Sequence, residues 1–257
     1  MTPHCETDVA DVAAAIGEPS RTRILLALAG GGALPASALA AEAGVAPSTV
    51  SGHLARLREA RLVTVELDGR HRYYRLATTE VARTLEQLAR IARPLPPRTL
   101  GADGRTRALM RARLCYDHLA GRLGVELMDA LREADILTAD RPGEKSENDG
   151  NGENGGNGGN AAVAYTVSSK GRTVLGEFGV DMTALSRRRS AVRYCVDWAE
   201  RRHHLAGPLG GVLTTRLFEL GWLRRGRYRR VVLLTDAGRT GLVETFGVAV
   251  ERVDAAR

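Results

Sequence analysis

Residues 37–62, SALAAEAGVAPSTVSGHLARLREARL, hold the pattern that most limits what this chain can fold into. A short Ala/Leu run over 35–43 meets a tight turn at Gly44-Val45, and Pro47-Ser48-Thr49 opens a second run that extends to about Ala60. Val50, Leu54 and Leu57 recur at i, i+4 and i+7, the inward stripe of a helix. The spacing therefore predicts two short helices joined by a glycine turn. Pro47, Ser48, Thr49, Ser51 and Gly52 stand in the first turns of the second helix, off the apolar stripe. Small hydroxyls there can donate to phosphates or bond base edges, and a glycine permits close approach. His53 and Arg56 fall on the outward side, within reach of base edges or phosphates. The bland alternative is an amphipathic helical hairpin with a solvated face, in which His53 is an ordinary surface histidine. Next, Leu62–Leu67 alternates toward Asp68-Gly69, a strong hairpin signal, and the return strand runs Arg72–Leu76. Arg70, His71 and Arg72 bring positive charge to that hairpin's tip, where it suits a flanking nucleic-acid backbone or minor groove.

Around this centre, residues 1–92 read as helix, helix, helix-turn-helix, hairpin, helix. Asp8 to Ile16 forms the first helix, Ser20 N-caps a second over Arg21–Ala29, Gly30-Gly31-Gly32 ends it, and residues 79–92 close the unit. Residues 8–92 resemble the ArsR/SmtB family of bacterial winged-helix repressors. The resemblance rests on Glu18-Pro19-Ser20-Arg21-x-x-Ile24-Leu25, then on Val45-Ala46-Pro47-Ser48-Thr49-Val50-Ser51-Gly52-His53-Leu54-x-x-Leu57-x-x-Ala60. It continues from Leu62-Val63 to Gly69-Arg70-x-x-Tyr73-Tyr74-Arg75-Leu76 and covers about a third of the chain. It implies a sequence-specific DNA-binding transcriptional regulator that acts as a repressor. It further implies a homodimer held by the first and last helices of the unit, double-stranded operator DNA as partner, and release from it by a small effector. A two-fold dimer sets its reading helices about one DNA turn apart.

The family's usual metal positions do not carry ligands here. The helix before the reading helix, Ala36 to Ala43, has no Cys; Arg56 and Ala60 stand where one branch places two Cys; and 79–92 offers Glu80 and Glu86 but no Asp, His or Cys.

Pro and Gly cluster over 93–104 and separate a C-terminal region, 105–250, which repeats itself. His118-Leu-Ala-Gly-Arg-Leu-Gly124 returns as His204-Leu-Ala-Gly-Pro-Leu-Gly210, and Leu127 and Leu131 match Leu213 and Leu217. Tyr165–Arg172 resembles Val232–Arg239, and Phe-Gly-Val recurs at 178–180 and 246–248. The copies, about 105–182 and 187–250, each read as helix, helix, hairpin, helix. A polar Gly/Asn-rich stretch at 141–160, expected to be a disordered loop, is inserted at the first copy's hairpin tip. The expected fold is mainly α with small β-hairpins (α+β): a winged helix-turn-helix followed by two degenerate winged-helix-like repeats.

Cys-x-Asp precedes both copies, as Cys115-Tyr116-Asp117-His118 and Cys195-Val196-Asp197-Trp198, and the second adds His203 and His204. Three readings stay open. Cys115, Asp117, His118, Cys195, Asp197, His203 and His204 can supply a soft or borderline divalent metal such as zinc, cadmium or lead. The thiols can form a redox switch or react with an electrophile. Or Cys115 and Cys195 are small buried residues, with Asp117 and Asp197 capping helices or pairing with Arg. Trp222 reads as core packing, while Trp198 and Tyr194 leave room for an organic effector. An enzyme using Cys115, Asp117 and His118 is the weakest alternative, because no oxyanion loop, phosphate loop or cofactor motif accompanies them.

Composition matters mainly for charge. The 257 residues carry a net +7, and no run of about 18 apolar residues spans a membrane. The acidic N-terminus lacks a basic-then-apolar secretion signal, so a cytoplasmic protein is expected, and three cysteines are too few for a disulfide framework. Residues 187–230 hold twelve Arg against three acids, whereas residues 1–100 hold twelve Arg against ten. That imbalance suggests that Arg224, Arg225, Arg227, Arg229 and Arg230 add phosphate contacts beside an operator. A ligand-independent regulator whose C-terminal units only add dimer or phosphate contacts is the alternative reading.

Overall fold

The computed structural model describes residues 8–69, 71–93, 100–140, 163–187 and 191–255, so Cys5, Arg70 and the 141–160 stretch lie outside the described residues. Two compact units result. The first takes Met1–Leu109, Arg113–Asp117 and Arg225–Val232; the second takes Met110–Ala112, His118–Arg224 and Leu233–Arg257.

In the first unit, α1 (Val9–Gly17) starts behind Asp8, whose carboxylate accepts the Asp11 N–H at 2.8 Å. Helix α2 (Pro19–Leu28) is capped by Glu18 rather than Ser20: its carboxylate accepts the Ser20 N–H at 2.9 Å and the Arg21 N–H at 2.7 Å. Pro19 has no N–H to satisfy and a backbone angle already suited to a first turn, so the helix begins earlier than a serine cap would allow. Then follow β1 (Leu34–Pro35), α3 (Ala36–Ala43), α4 (Pro47–Glu59), β2 (Val63–Asp68), β3 (His71–Leu76) and α5 (Thr79–Ile91). The strands form one antiparallel sheet in the order β1-β3-β2, and β2 and β3 pair from Val63↔Leu76 to Asp68↔His71. Ile24, Leu25, Leu28, Leu39, Val50, Leu54, Leu57, Tyr74, Leu76 and Leu85 make the core. This is a winged helix-turn-helix. Helix α6 (Leu100–Arg111) begins inside the stretch expected to be a break. The prolines that forbid a helix end at Pro97, and the two glycines beyond them cost a helix only about 1 kcal/mol each.

The chain continues with β4 (Arg113–Cys115), β5 (His118–Ala120), α7 (Gly121–Glu133), β6 (Leu137–Asp140), β7 (Ala164–Val167), α8 (Ser169–Glu177) and α9 (Met182–Ser186). It ends with β8 (Arg193–Val196), β9 (His203–Ala206), α10 (Gly207–Glu219), β10 (Leu223–Arg225), β11 (Val232–Leu234), α11 (Asp236–Phe246) and α12 (Val250–Asp254). Each hairpin is its own two-stranded sheet. The element preceding each long helix is thus a hairpin, not the helix expected from sequence. The reason is local: β5 and β9 run straight into Gly121 and Gly207, whose φ of +76° and +72° turns extended chain into helix at little cost only for glycine. Within the second unit, α7 packs on β9 and α10 packs on β5. The Leu119 N–H donates to Thr214 Oγ1 at 3.0 Å, and the Gly121 N–H donates to Asp197 Oδ2 at 2.7 Å.

Candidate functional site

The helix-turn-helix presents a polar face. Pro47, Ser48, Thr49, Ser51 and Gly52 are exposed at the start of α4, while Val50, Leu54 and Leu57 are buried beneath them. A Cβ at Gly52 would meet nothing within 4 Å, so that surface is open. His71 and Arg72 are exposed at the start of β3.

His53 and Arg56 are placed differently from their neighbours. His53 Nδ1 lies 3.6 Å from Glu18 Oε2. Arg56 pairs with Asp11, and at 3.6 Å with Glu59. The Asp11 hydrogen bond and charge raise the Arg56 pKa. Burial pushes the Glu18 carboxyl upward, but the backbone donors of Ser20 and Arg21, with His53 nearby, outweigh it and hold the pKa below its ordinary value. Both basic side chains therefore already have carboxylate partners on the first two helices or their caps.

The five C-terminal arginines divide in the same way. Arg229 Nε donates to Glu42 Oε1 at 3.0 Å. Arg230 pairs with Glu86 and donates from Nε to the Leu114 carbonyl at 2.9 Å. These two bind the first unit's own acids, whereas Arg224, Arg225 and Arg227 are exposed. Glu86, 6% exposed, also meets Arg113 at 3.5 Å, and Arg113 is 1% exposed. One buried carboxylate thus serves two guanidiniums. Sequence reading missed this group, because an acid in an amphipathic helix looks like any solvated acid until its partners arrive from distant strands.

A second constellation lies in the C-terminal hairpins. Cys115, His118, Cys195 and His204 are all buried, and one potential ligand atom from each lies within 4.8 Å of all the others. Cys195 and His204 are direct cross-strand partners in β8–β9, and Cys115 and His118 flank the turn of β4–β5. The imidazoles of His118 and His204 stack with centroids 5.3 Å apart. Such a Cys₂His₂ group could hold a metal ion.

The structure leaves the other expected ligands outside. The Asp197 carboxylate accepts the N–H groups of Gly121, Ala199 and Glu200, at 2.7, 2.9 and 3.0 Å. It fixes a turn and the start of α7, the capping role the sequence allowed. His203 Nδ1 lies 2.8 Å from the Tyr165 hydroxyl, and its ring stacks on Tyr194 at 4.1 Å. Asp117 is exposed. Trp222 packs on Phe178, with centroids 5.4 Å apart, as core packing requires. What sequence reading missed is Gly124 and Gly210. A Cβ at Gly124 would lie 2.5 Å from the Leu119 carbonyl oxygen and 3.6 Å from His204 Cβ. At Gly210 it would lie 2.8 Å from the Leu205 oxygen and 3.2 Å from His118 Cβ. Each glycine lets its helix press on the opposite histidine, and its recurrence at one spacing was the available signal.

A family of helix-turn-helix domains matches residues 16–66. The uncharacterized HTH-type transcriptional regulator YdfF of Bacillus subtilis (strain 168) is 34% identical over 244 residues, covering 95% of this chain and 99% of that protein. The HTH-type transcriptional regulator CmtR of Mycobacterium tuberculosis is 40% identical over 86 residues, 34% of this chain and 72% of that protein. Among solved structures, the homodimeric winged helix-turn-helix domain of Mb0332 from Mycobacterium bovis, a possible ArsR-family transcriptional regulator, is 31% identical with a TM-score of 0.30. That similarity covers 32% of this chain and 83% of that one.

Proposed function

Because the chain belongs to the ArsR family of DNA-binding helix-turn-helix transcriptional regulators, we propose that it is a dimeric repressor that leaves its operator when an effector binds in the C-terminal region. It is a regulator, not an enzyme, as its relatives are. The observation that carries the DNA reading is α4: a fully buried Val50-Leu54-Leu57 stripe fixes the helix, and Ser48, Thr49, Ser51 and Gly52 stand exposed on its leading turns. Pro47 sets the helix start, the hydroxyls meet base edges and phosphates, and His71 and Arg72 contact flanking backbone, a role the sequence also gives to Arg70. His53 and Arg56 belong to the same surface. Their pairing with Glu18 and Asp11 holds them in place, so reaching phosphate requires Arg56 to exchange one carboxylate partner for another anion. For self-association, Val9 on α1 is 70% exposed, and Leu88 and Ile91 on α5 are 40% and 82% exposed. Burying that apolar surface against a second copy supplies the driving force.

The 1–92 unit is the DNA-binding and dimerisation domain, and 105–250 is the sensing region. The same run of hairpin, helix, hairpin, helix and short helix occurs twice there, which supports two degenerate repeats, 105–182 and 187–250. The effector class favoured by the Cys₂His₂ group is a soft or borderline divalent metal: zinc, cadmium or lead. Strand β4 gives the link to DNA binding, since it carries Cys115 at one end and Arg113, bound to buried Glu86 of α5, at the other. No helix of the described residues is long and apolar enough to cross a membrane.

Gel-shift titration with the DNA upstream of its own gene tests the reading. Ser48→Ala, Thr49→Ala and Ser51→Ala each weaken specific binding by about 1–3 kcal/mol where they meet bases and leave non-specific binding unchanged. Full specific affinity in all three variants refutes it.

A further inference from the structure

We infer that Cys115, His118, Cys195 and His204 are the complete ligand set of one closed, tetrahedral site for a divalent ion of the zinc class, a site built by two hairpins rather than by the helix-turn-helix. The inference deepens the proposed function by naming the effector site, and rests on that reading only for the regulatory consequence. The donor set decides the class of ion. Two sulfurs and two imidazole nitrogens suit zinc or cadmium; calcium and magnesium require oxygen ligands, and this group offers none. Zinc bound at about 2.3 Å to sulfur and about 2.0 Å to nitrogen needs donor atoms about 3.3–3.8 Å apart around a tetrahedron. The four donors lie within 4.8 Å of one another, so they need to close by no more than about 1–1.5 Å to reach that spacing.

Burial favours the same ion. A dication cannot sit in a closed apolar site unless its charge is compensated, and two thiolates bring a divalent ion to neutrality. Four protein ligands also fill the tetrahedron, which leaves no open position for water and marks the site as one that holds a metal rather than one that catalyses with it. The scaffold is duplicated to match. Each hairpin contributes one cysteine and one histidine, and each histidine lies under a glycine of the opposite helix, His204 under Gly124 and His118 under Gly210. Asp197 is committed to backbone N–H groups and His203 to the Tyr165 hydroxyl, so neither competes for the ion.

The test uses the full chain, stripped with a chelator and titrated first with cobalt(II), then with zinc. One equivalent of cobalt per chain should produce the strong visible bands of a tetrahedral ion and a thiolate-to-cobalt charge-transfer band, both erased by zinc. Zinc should also slow maleimide labelling of two of the three cysteines. Cys115→Ser and His204→Gln should each lower cobalt affinity by more than about tenfold, the lower end of what even outer-shell changes cost. A weak octahedral spectrum without the charge-transfer band overturns the inference, as does unchanged affinity in either variant when its circular dichroism matches the parent's. Should the variants unfold, the parent's spectrum and labelling decide alone. No DNA is present in any arm, so failure here leaves the operator reading standing, and failure of the gel shifts leaves the cobalt spectrum untouched.

Discussion

At Gly210 an added methyl group would sit 2.8 Å from a carbonyl oxygen and 3.2 Å from the His118 side chain. Backbone cannot retreat from such a contact, so Gly210→Ala should destabilise the second unit by about 1–3 kcal/mol, read as a lower thermal midpoint. Gly176→Ala, which meets nothing within 4 Å, is the control and should hold or raise it. Glu18 gives a prediction in pH. Its folded pKa is below its ordinary 4.5, so the stability it adds is complete above that value and is lost as pH falls through the folded value. Glu18→Gln should therefore lower the midpoint at pH 7 and narrow its distance from the parent in acid; an equal difference at both pH values would refute the assignment. These residues also show where sequence reading stops. The repetition of Gly124 and Gly210 is plain in the sequence, but besides a carbonyl five residues earlier each glycine makes room for a histidine of a segment about 80–90 residues away, and that contact has no local trace.

Helix α4 was legible because every cue to it is local: a proline at its start, an apolar stripe, a glycine turn before it. Leu57→Ala should cost about 2–5 kcal/mol, since its side chain is fully buried and the cavity left can close only in part. Elements whose identity depends on a partner read less well. His118–Ala120 is a strand because Arg113–Cys115 lies beside it, and no three-residue window reveals that. Helix α5 shows both sides of the matter. Its amphipathic pattern gave its limits within a residue, yet the role of Glu86 came only with Arg113 and Arg230. Removing one member of a buried ionic group leaves uncompensated charge, so Glu86→Ala should cost about 3–5 kcal/mol. A midpoint unchanged in Glu86→Ala would mean that the arginines find other partners.

Across the chain, net charge says little about which basic side chains are available to a partner. The arginine-rich stretch 187–230 looked like one basic surface, but two of its five hairpin arginines neutralise Glu42 and Glu86. Replacing Arg229 and Arg230 by Ala should lower stability and leave the salt dependence of operator binding unchanged, because counterion release counts only phosphates touched. A flatter slope would restore them to the interface. The crossed bonding of the second unit bears on how the protein is made. The amide of Leu119 is satisfied by Thr214, 95 residues later, and Asp197 closes on Gly121, 76 residues earlier. Contacts so distant cannot form until most of the chain has left the ribosome. The helix-turn-helix residues leave the ribosome well before that, so in every nascent copy the polar leading turns of α4 are made long before Arg225–Val232, which completes the first unit, and before the hairpins of the second.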